Sequence, residues 1–376
     1  MFKQIEIHIY DRRGDGHMKR PIILLTGGGT AGHVSVNEAL IPVFHERGYE
    51  IHYIGSHDGI EKELIGDNQP DVTYHAIQSG KLRRYFSMKN FTDPFRVGTG
   101  FFQALSIIRR LKPELIFSKG GFVSVPVVLA ARVAKVPVVI HESDVTPGLA
   151  NKMSLPFSNH IFTVFEKTLE YVPGGKATCT GAIIRPELFQ GAKEEGLKIS
   201  GFNGIKPVII VMGGSQGSAI VNEAIRKDLN KITTFFDVIH LCGKGNLDKS
   251  LEKVQGYKQF EYVTDSLPHL LAASDYAVSR AGSNAIFELL ALRIPMLLIP
   301  LSAAQSRGDQ LLNAAFFKSI GTARVLMEED ISIRPFSEEL FDFKKDKDYL
   351  IGNMLKTEMP KTPEEMVVLI MEQRNK

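Results

Sequence analysis

Two glycine-rich stretches carry the residue types and spacing that phosphate chemistry needs. Gly27, Gly29 and Gly32 fit G-x-G-x-x-G directly after the apolar run PIILLT and before a helical pattern. Such a turn brings backbone N–H groups close to an anion, and the helix behind it adds positive potential. The second stretch, GGSQGS over residues 213–218, follows PVIIVM and places Ser215 where a hydroxyl and neighbouring amides suit a diphosphate. A dinucleotide reading of the first turn also wants an acid at the end of the second strand, for the ribose hydroxyls. That strand ends at Ile54 and leaves Gly55 and Ser56 in the acid's place, which weighs against a nicotinamide cofactor. One such turn is explained as well by tight packing alone. Two of them, each opening one half of the chain, argue for a ligand held by one half that reacts at the surface of the other.

The densest further signal is SRAGSNAIFELLALRIPMLLIP, from Ser279 to Pro300. Gly282 and Ser283 read as a turn and Asn284 to Leu292 as a helix, with Glu288 near enough to the strand ends to reach a ligand. A carboxylate there can accept both hydrogen bonds of a ribose diol. A solvated helix carboxylate is the plainer account, but IFELLAL is apolar around it. Asp309, Gln310 and Asn313 stand at a loop-to-helix junction and suit sugar hydroxyls, with simple capping by Asp309 as the equal alternative. For a general base, His33 titrates in the useful range; its other reading is a helix-terminal histidine that only binds phosphate or water. His141, Glu142 and Asp144 are its rivals. No D-x-D falls on a plausible loop, and Asp346 and Asp348 in KKDKD read as solvated surface, so neither a metal nor a cofactor is implied.

The elements that must position these groups follow a repeating pattern. Short apolar runs (PIILLT, EIHYIG, ELIFSK, PVVIHES, HIFTVF, ATCTGA) alternate with helical stretches, the first from Val34 to Glu46. The series restarts at PVIIVMGGSQGS and continues through DVIHLCG, FEYV, YAVSR and PMLLIP. Strands separated by helices predict parallel, doubly wound sheets. The fold class is therefore α/β, as two Rossmann-like domains facing across a cleft. The expected boundaries are an added arm or upstream start over 1–17, a first domain over 18–186, a polar Gly-rich linker over 187–206, a second domain over 207–357, and a last helix within 358–376 returning to the first domain. The chain of 376 residues has room for two cores, and 44% hydrophobic with 23% charged residues is an ordinary globular balance.

A formal net charge of +3 gives no overall field for nucleic acid. Cys179 and Cys242 lie far apart with no metal-binding spacing and read as free thiols. No run reaches the roughly 20 apolar residues of a spanning helix, and the N-terminus is too polar for a signal peptide. Gly80 to Arg110 is different. Lys81, Arg83, Arg84, Lys89, Arg96, Arg109 and Arg110 alternate there with Tyr85, Phe86, Phe91, Phe95, Phe101 and Phe102. Bases attract anionic headgroups while aromatics enter the interfacial layer; a core helix with a solvated edge is the alternative.

GGGTAGHV, SGKLRR, SKGGFVSVP, HESDVTPGLANK, GGSQGS, SRAGSNAIFE and DQLLNA occur in an order that resembles the MurG family of peptidoglycan glycosyltransferases, from about Met18 to Ala323. The spelling is closest to forms from low-GC Gram-positive bacteria. The resemblance implies a GT-B arrangement and transfer of N-acetylglucosamine from UDP-GlcNAc to the C4 hydroxyl of the muramoyl sugar of lipid I. Lipid II and UDP would be the products, with inversion at the anomeric carbon. It places Thr30, Ala31, Gly32, Asp144, Arg185, Ser215, Val263, Ser283, Asn284, Glu288 and Gln310 at the donor. Val263 would pair with uracil through its backbone, Glu288 would hold the ribose and Gln310 the sugar. Gly28, His33, Gly120, Gly121 and Phe122 would meet the acceptor, with His33 and Glu288 as the catalytic pair. Asp144 departs from the family, many members having Asn there. The resemblance further implies a peripheral enzyme on the cytoplasmic face of the cell membrane, docked through residues 80–110 on anionic lipid, with other cell-wall synthesis proteins as candidate partners. Rival readings are a UDP-sugar transferase acting on diacylglycerol, a dinucleotide oxidoreductase, and a non-catalytic nucleotide-sugar-binding protein.

Overall fold

A computed structural model describes residues 20–80, 93–214, 217–302 and 308–375. The arm over 1–17, Ser215, and the basic and aromatic residues from Lys81 to Phe91 lie outside the described residues, as do the side chains of Ala31 and Phe95.

The first half runs β1 (Ile22–Thr26), α1 (Ala31–Glu46), β2 (Glu50–Ser56), β3 (Val72–Ile77), α2 (Asp93–Leu111), β4 (Leu115–Ser118), α3 (Ser124–Ala134), β5 (Val138–Glu142), α4 (Leu149–Ser154), β6 (His160–Thr163) and β7 (Ala177–Cys179). These strands form one sheet in the order β3-β2-β1-β4-β5-β6-β7, every pair parallel. After α5 (Lys193–Ser200), the second half runs β8 (Val208–Met212), α6 (Ala219–Lys227), α7 (Leu229–Ile232), β9 (Asp237–Leu241), β10 (Tyr257–Phe260), α8 (Leu267–Ala273), β11 (Tyr276–Ser279), α9 (Ser283–Ala291), β12 (Met296–Leu298), α10 (Asp309–Ser319) and β13 (Ala323–Val325). Its sheet order is β10-β9-β8-β11-β12-β13, again all parallel. Strands such as β1 and β5 are buried at every position, because helices cover both faces. In each sheet the chain reverses direction beside the first strand, β1 next to β4 and β8 next to β11. A crevice opens there at the carboxyl ends of the strands, and each glycine-rich turn stands at one.

The tail consists of α11 (Phe336–Lys345), α12 (Lys347–Met354) and α13 (Pro363–Glu372). Met366, Val367 and Ile370 of α13 are buried in the core of the first half, among Val36, Leu40 and Phe44 of α1. Thr362 starts this helix with a capping box, its hydroxyl accepting from the Glu365 amide while the Glu365 carboxylate accepts from the Thr362 amide.

The stretch 187–206 differs from the irregular linker expected of it. It holds α5, packed against α8, and two of the glycines that suggested looseness are points of close approach. A Cβ on Gly191 would lie 2.1 Å from the carbonyl oxygen of Pro268, and one on Gly196 would lie 2.0 Å from that of His269. Sequence pattern alone shows a glycine; only the neighbouring helix explains it. The two halves also share a core. Phe165 of the first lies 5.3 Å from Phe287 and 5.1 Å from Phe316 of the second, ring centre to ring centre and edge-on. Both cysteines are free thiols, Cys242 buried and Cys179 half-buried.

Candidate active site

The first glycine turn is built around Thr30. Its backbone is extended and its hydroxyl accepts from the His33 amide at 3.3 Å, so Thr30 caps α1. The helix therefore begins at Ala31, inside the glycine motif, rather than at Val34. This places His33 in the first turn, where its Nδ1 lies 2.9 Å from the Gly28 carbonyl oxygen. A carbonyl only accepts, so Nδ1 carries the proton and the lone pair of the neutral ring sits on Nε2.

The second half meets this turn through α9. Asn284 Nδ2 donates to the Ser35 hydroxyl at 2.9 Å and to the Gly32 carbonyl at 3.4 Å. Arg185 Nη2 lies 3.2 Å from Glu288 Oε1. Asn313 Nδ2 donates to Asp144 Oδ1 at 3.2 Å and to the Ala281 carbonyl. Gly32, Asp144, Arg185, Asn284 and Glu288, predicted separately, thus come together as pairs between the halves. Ser35, His141, Ser143, Arg185, Ser283, Asn284 and Glu288 line one cleft. Two expectations change in detail. Glu288 was expected to offer both oxygens to a ribose, and one of them already holds Arg185. Burial holds its pKa above the usual carboxylate range, with Arg185 offsetting only part of that shift. The Asp144 carboxylate, awkward beside a diphosphate, is turned towards the Asn313 amide.

Other predicted residues stand apart from that cleft. Val263 follows β10 and packs half-buried against the second core. Gln310 Oε1 accepts from the Leu301 amide at 3.1 Å, so its side-chain carbonyl closes its own loop. Gly120 and Gly121 both have positive φ (95° and 85°). Their freedom admits a close approach of this loop to the first glycine turn. The Gly28 amide donates to the Gly120 carbonyl at 3.2 Å. A Cβ on Gly121 would sit 2.2 Å from the Gly28 carbonyl oxygen. Phe122 follows them, half-buried.

The sequence reading passed over Lys119, at the end of β4. It is fully buried, donates to His141 Nδ1 at 3.0 Å and also to the Ser143 hydroxyl. Burial pulls its pKa down to about 8, against the opposing pull of Glu142 and Asp144. Because Nδ1 of His141 accepts, its proton is on Nε2, an atom with no hydrogen-bond partner among the described residues. Burial and Lys119 hold the His141 pKa well below the usual histidine range. A ring in that state has no lone pair left to take a proton, which disfavours it as the base. Glu142 is spent on structure: it accepts from the amides of Asp144 and Gly148 and from Asn151 Nδ2, at 3.0, 2.8 and 2.9 Å. His33 remains. Among the described residues no cluster of three or more His, Cys, Asp or Glu is gathered to hold a metal ion.

Residues 23–163 match the glycosyltransferase family 28 N-terminal domain, and residues 208–366 match the glycosyltransferase family 28 C-terminal domain. The chain belongs to glycosyltransferase family 28. Within this family it is similar to the UDP-N-acetylglucosamine--N-acetylmuramyl-(pentapeptide) pyrophosphoryl-undecaprenol N-acetylglucosamine transferase of Geobacillus kaustophilus, being 55% identical over 90% of this chain and 94% of that one. The enzyme of the same name from Clostridium botulinum strain Alaska E43 is 53% identical over 88% of this chain and 92% of its own. Among solved structures, Acinetobacter baumannii MurG superposes with a TM-score of 0.73 at 21% identity, covering 94% of this chain and 99% of that one. The glycotransferase of kitacinnamycin gives 0.71 at 13% identity, covering 94% of this chain and all of that one. The two superpositions speak for the family's two-domain glycosyltransferase fold and for nothing finer.

Proposed function

We propose that this family 28 glycosyltransferase moves N-acetylglucosamine from UDP-GlcNAc to the C4 hydroxyl of the muramoyl sugar of lipid I, releasing UDP and forming lipid II. The observation that carries the reading is the cleft. It joins Ser35 and Val36 of α1, just past His33 in sequence, to the start of α9, with Ser283, Asn284 and Glu288, and relatives more than half identical over most of their length bear the name of that reaction. His33 Nε2 takes the acceptor proton as the oxygen attacks the anomeric carbon from the face opposite UDP. Inversion follows from that geometry. The departing diphosphate gathers charge, which the N-terminus of α9 and the second glycine turn stabilise without a metal. Arg185 shields the Glu288 carboxylate until the ribose takes over that oxygen.

Docking on an anionic membrane surface belongs to the same reading. Among the described side chains of α2, Arg96, Thr99, Phe102, Ser106, Arg109 and Arg110 are exposed, a spacing that forms one face. Phe102 is 69% exposed between the bases, whereas Phe101 packs against the core. No described helix is long and apolar enough to cross a membrane.

Incubating the chain with labelled UDP-GlcNAc and lipid I tests the reaction, a disaccharide-lipid being the expected product. UDP-galactose with diacylglycerol is the matched control. Product only from the control pair would overturn the assignment.

A further inference from the structure

The acid missing from the end of β2 arrives five residues later and points elsewhere. Glu61 is 1% exposed and sits at the start of a π-helical stretch, Lys62–Asp67, a rare geometry that recurs at functional sites. Its Oε1 accepts from the Ser56 amide at 3.0 Å and from the Ser56 hydroxyl at 2.5 Å. Its Oε2 accepts from the Gly29 amide at 3.1 Å. The backbone has been cleared around it: a Cβ on Gly28 would lie 2.4 Å from the Glu61 carboxyl carbon, and one on Gly59 would lie 2.2 Å from Oε1. Gly28 is also the residue whose carbonyl receives the His33 Nδ1 proton.

We propose that Glu61 is a positioning residue: its carboxylate clamps the first glycine-rich turn to the end of β2 and so holds Gly28 where it fixes the His33 ring. The inference rests on the reading of His33 as the base and extends it. In a dinucleotide site a carboxylate at this end of the sheet would hold a ribose through its hydroxyls. Here it turns inward and occupies the Gly29 amide, so the first turn is preorganised by the protein's own anion. The carboxylate answers three donors. A glutamine in its place must present an NH₂ group to one of them, so the shape is kept and the clamp is opened.

Glu61→Gln should lower kcat by roughly 10- to 100-fold, the usual scale for a displaced catalytic group, while the Kd for UDP-GlcNAc stays unchanged. The ¹⁵N spectrum of labelled histidine, with His33 assigned by its loss in His33→Ala, should show the ring leaving its single Nδ1–H tautomer. In a His33→Ala background Glu61→Gln should cause no further loss. Ser56→Ala, which removes only one donor, should fold normally and lower kcat several-fold, again only when His33 is present. An unchanged tautomer, or an equal fold-loss with and without His33, overturns the clamp. The base reading is judged separately, by His33→Ala alone.

Discussion

Replacing Lys119 with methionine should change how stability depends on pH, and the size follows from its surroundings. The ammonium is fully buried with a histidine and a hydroxyl as partners, and among the described residues no carboxylate pairs with it. Its pKa falls from 10.5 to about 8, and at about 1.4 kcal/mol per pH unit this is a cost of ~3 kcal/mol for keeping it charged. The sign is fixed by proton counting. Below pH 8 the lysine is charged in both folded and unfolded chains, and the whole cost is present. Between about pH 8 and 10.5 the unfolded chain binds a proton that the folded one does not, so stability rises with pH. Above that window the cost is gone. Methionine removes the titration and also deprives His141 Nδ1 and Ser143 of a donor, a loss of about 1–3 kcal/mol that does not vary with pH in this range. The useful quantity is therefore the difference between the two proteins, in which every other titrating group cancels. Urea unfolding of both side by side should show the wild type gaining ~3 kcal/mol on Lys119→Met between about pH 7 and pH 10.5. A difference that stays constant within about 1 kcal/mol would refute the argument, because it would mean that Lys119 is solvated or already neutral.

Four further outcomes follow. His33→Ala should lower turnover by about 10²–10⁴-fold with donor binding intact; near-normal turnover would remove the base from His33. Gly121→Ala should destabilise the chain by at least about 1–3 kcal/mol in thermal unfolding, since it adds a methyl against the Gly28 carbonyl at a positive φ. Excess EDTA should leave turnover unchanged if the diphosphate is stabilised by helix ends alone; loss restored by a divalent cation would show a metal requirement. Sedimentation with vesicles should show binding to anionic lipid that weakens with salt, and equal weak binding to neutral vesicles would count against the α2 face.

Much of the frame is written in short-range pattern. Buried strands flanked by helices announce themselves as apolar runs, and both glycine turns stand at the sheet crevices where their spacing put them. The pairs that assemble the cleft were harder to read. Arg185 and Glu288 are separated by 103 residues, and Asp144 and Asn313 by 169. Each looks like an independent ligand contact until the two halves are brought together. Glu61 is illegible in the pattern because a ribose-binding acid stands at the strand end, whereas this chain supplies its acid from the following helical turn. Lys119 escaped because a lysine before two glycines reads as surface. Only its place at the end of a fully covered strand makes it a buried cation.

The return of α13 has a bearing on how the molecule is made. The first half is not a continuous piece of sequence: Met366, Val367 and Ile370 close its core, and Arg374 pairs with Glu114 at 2.8 Å. A ribosome therefore releases α1 and its sheet long before the helix that covers them, and the second half, contiguous from β8 to β13, can complete its sheet before the core of the first half is closed. Where the chain crosses back, Lys361 pairs with Ile183 of the outgoing crossing. The two crossing segments are therefore fastened to each other by backbone hydrogen bonds, Ile184 N–H to the Lys361 carbonyl at 3.2 Å and Lys361 N–H to the Ala182 carbonyl at 2.8 Å, so the halves are joined by a paired strap rather than by two separate strings.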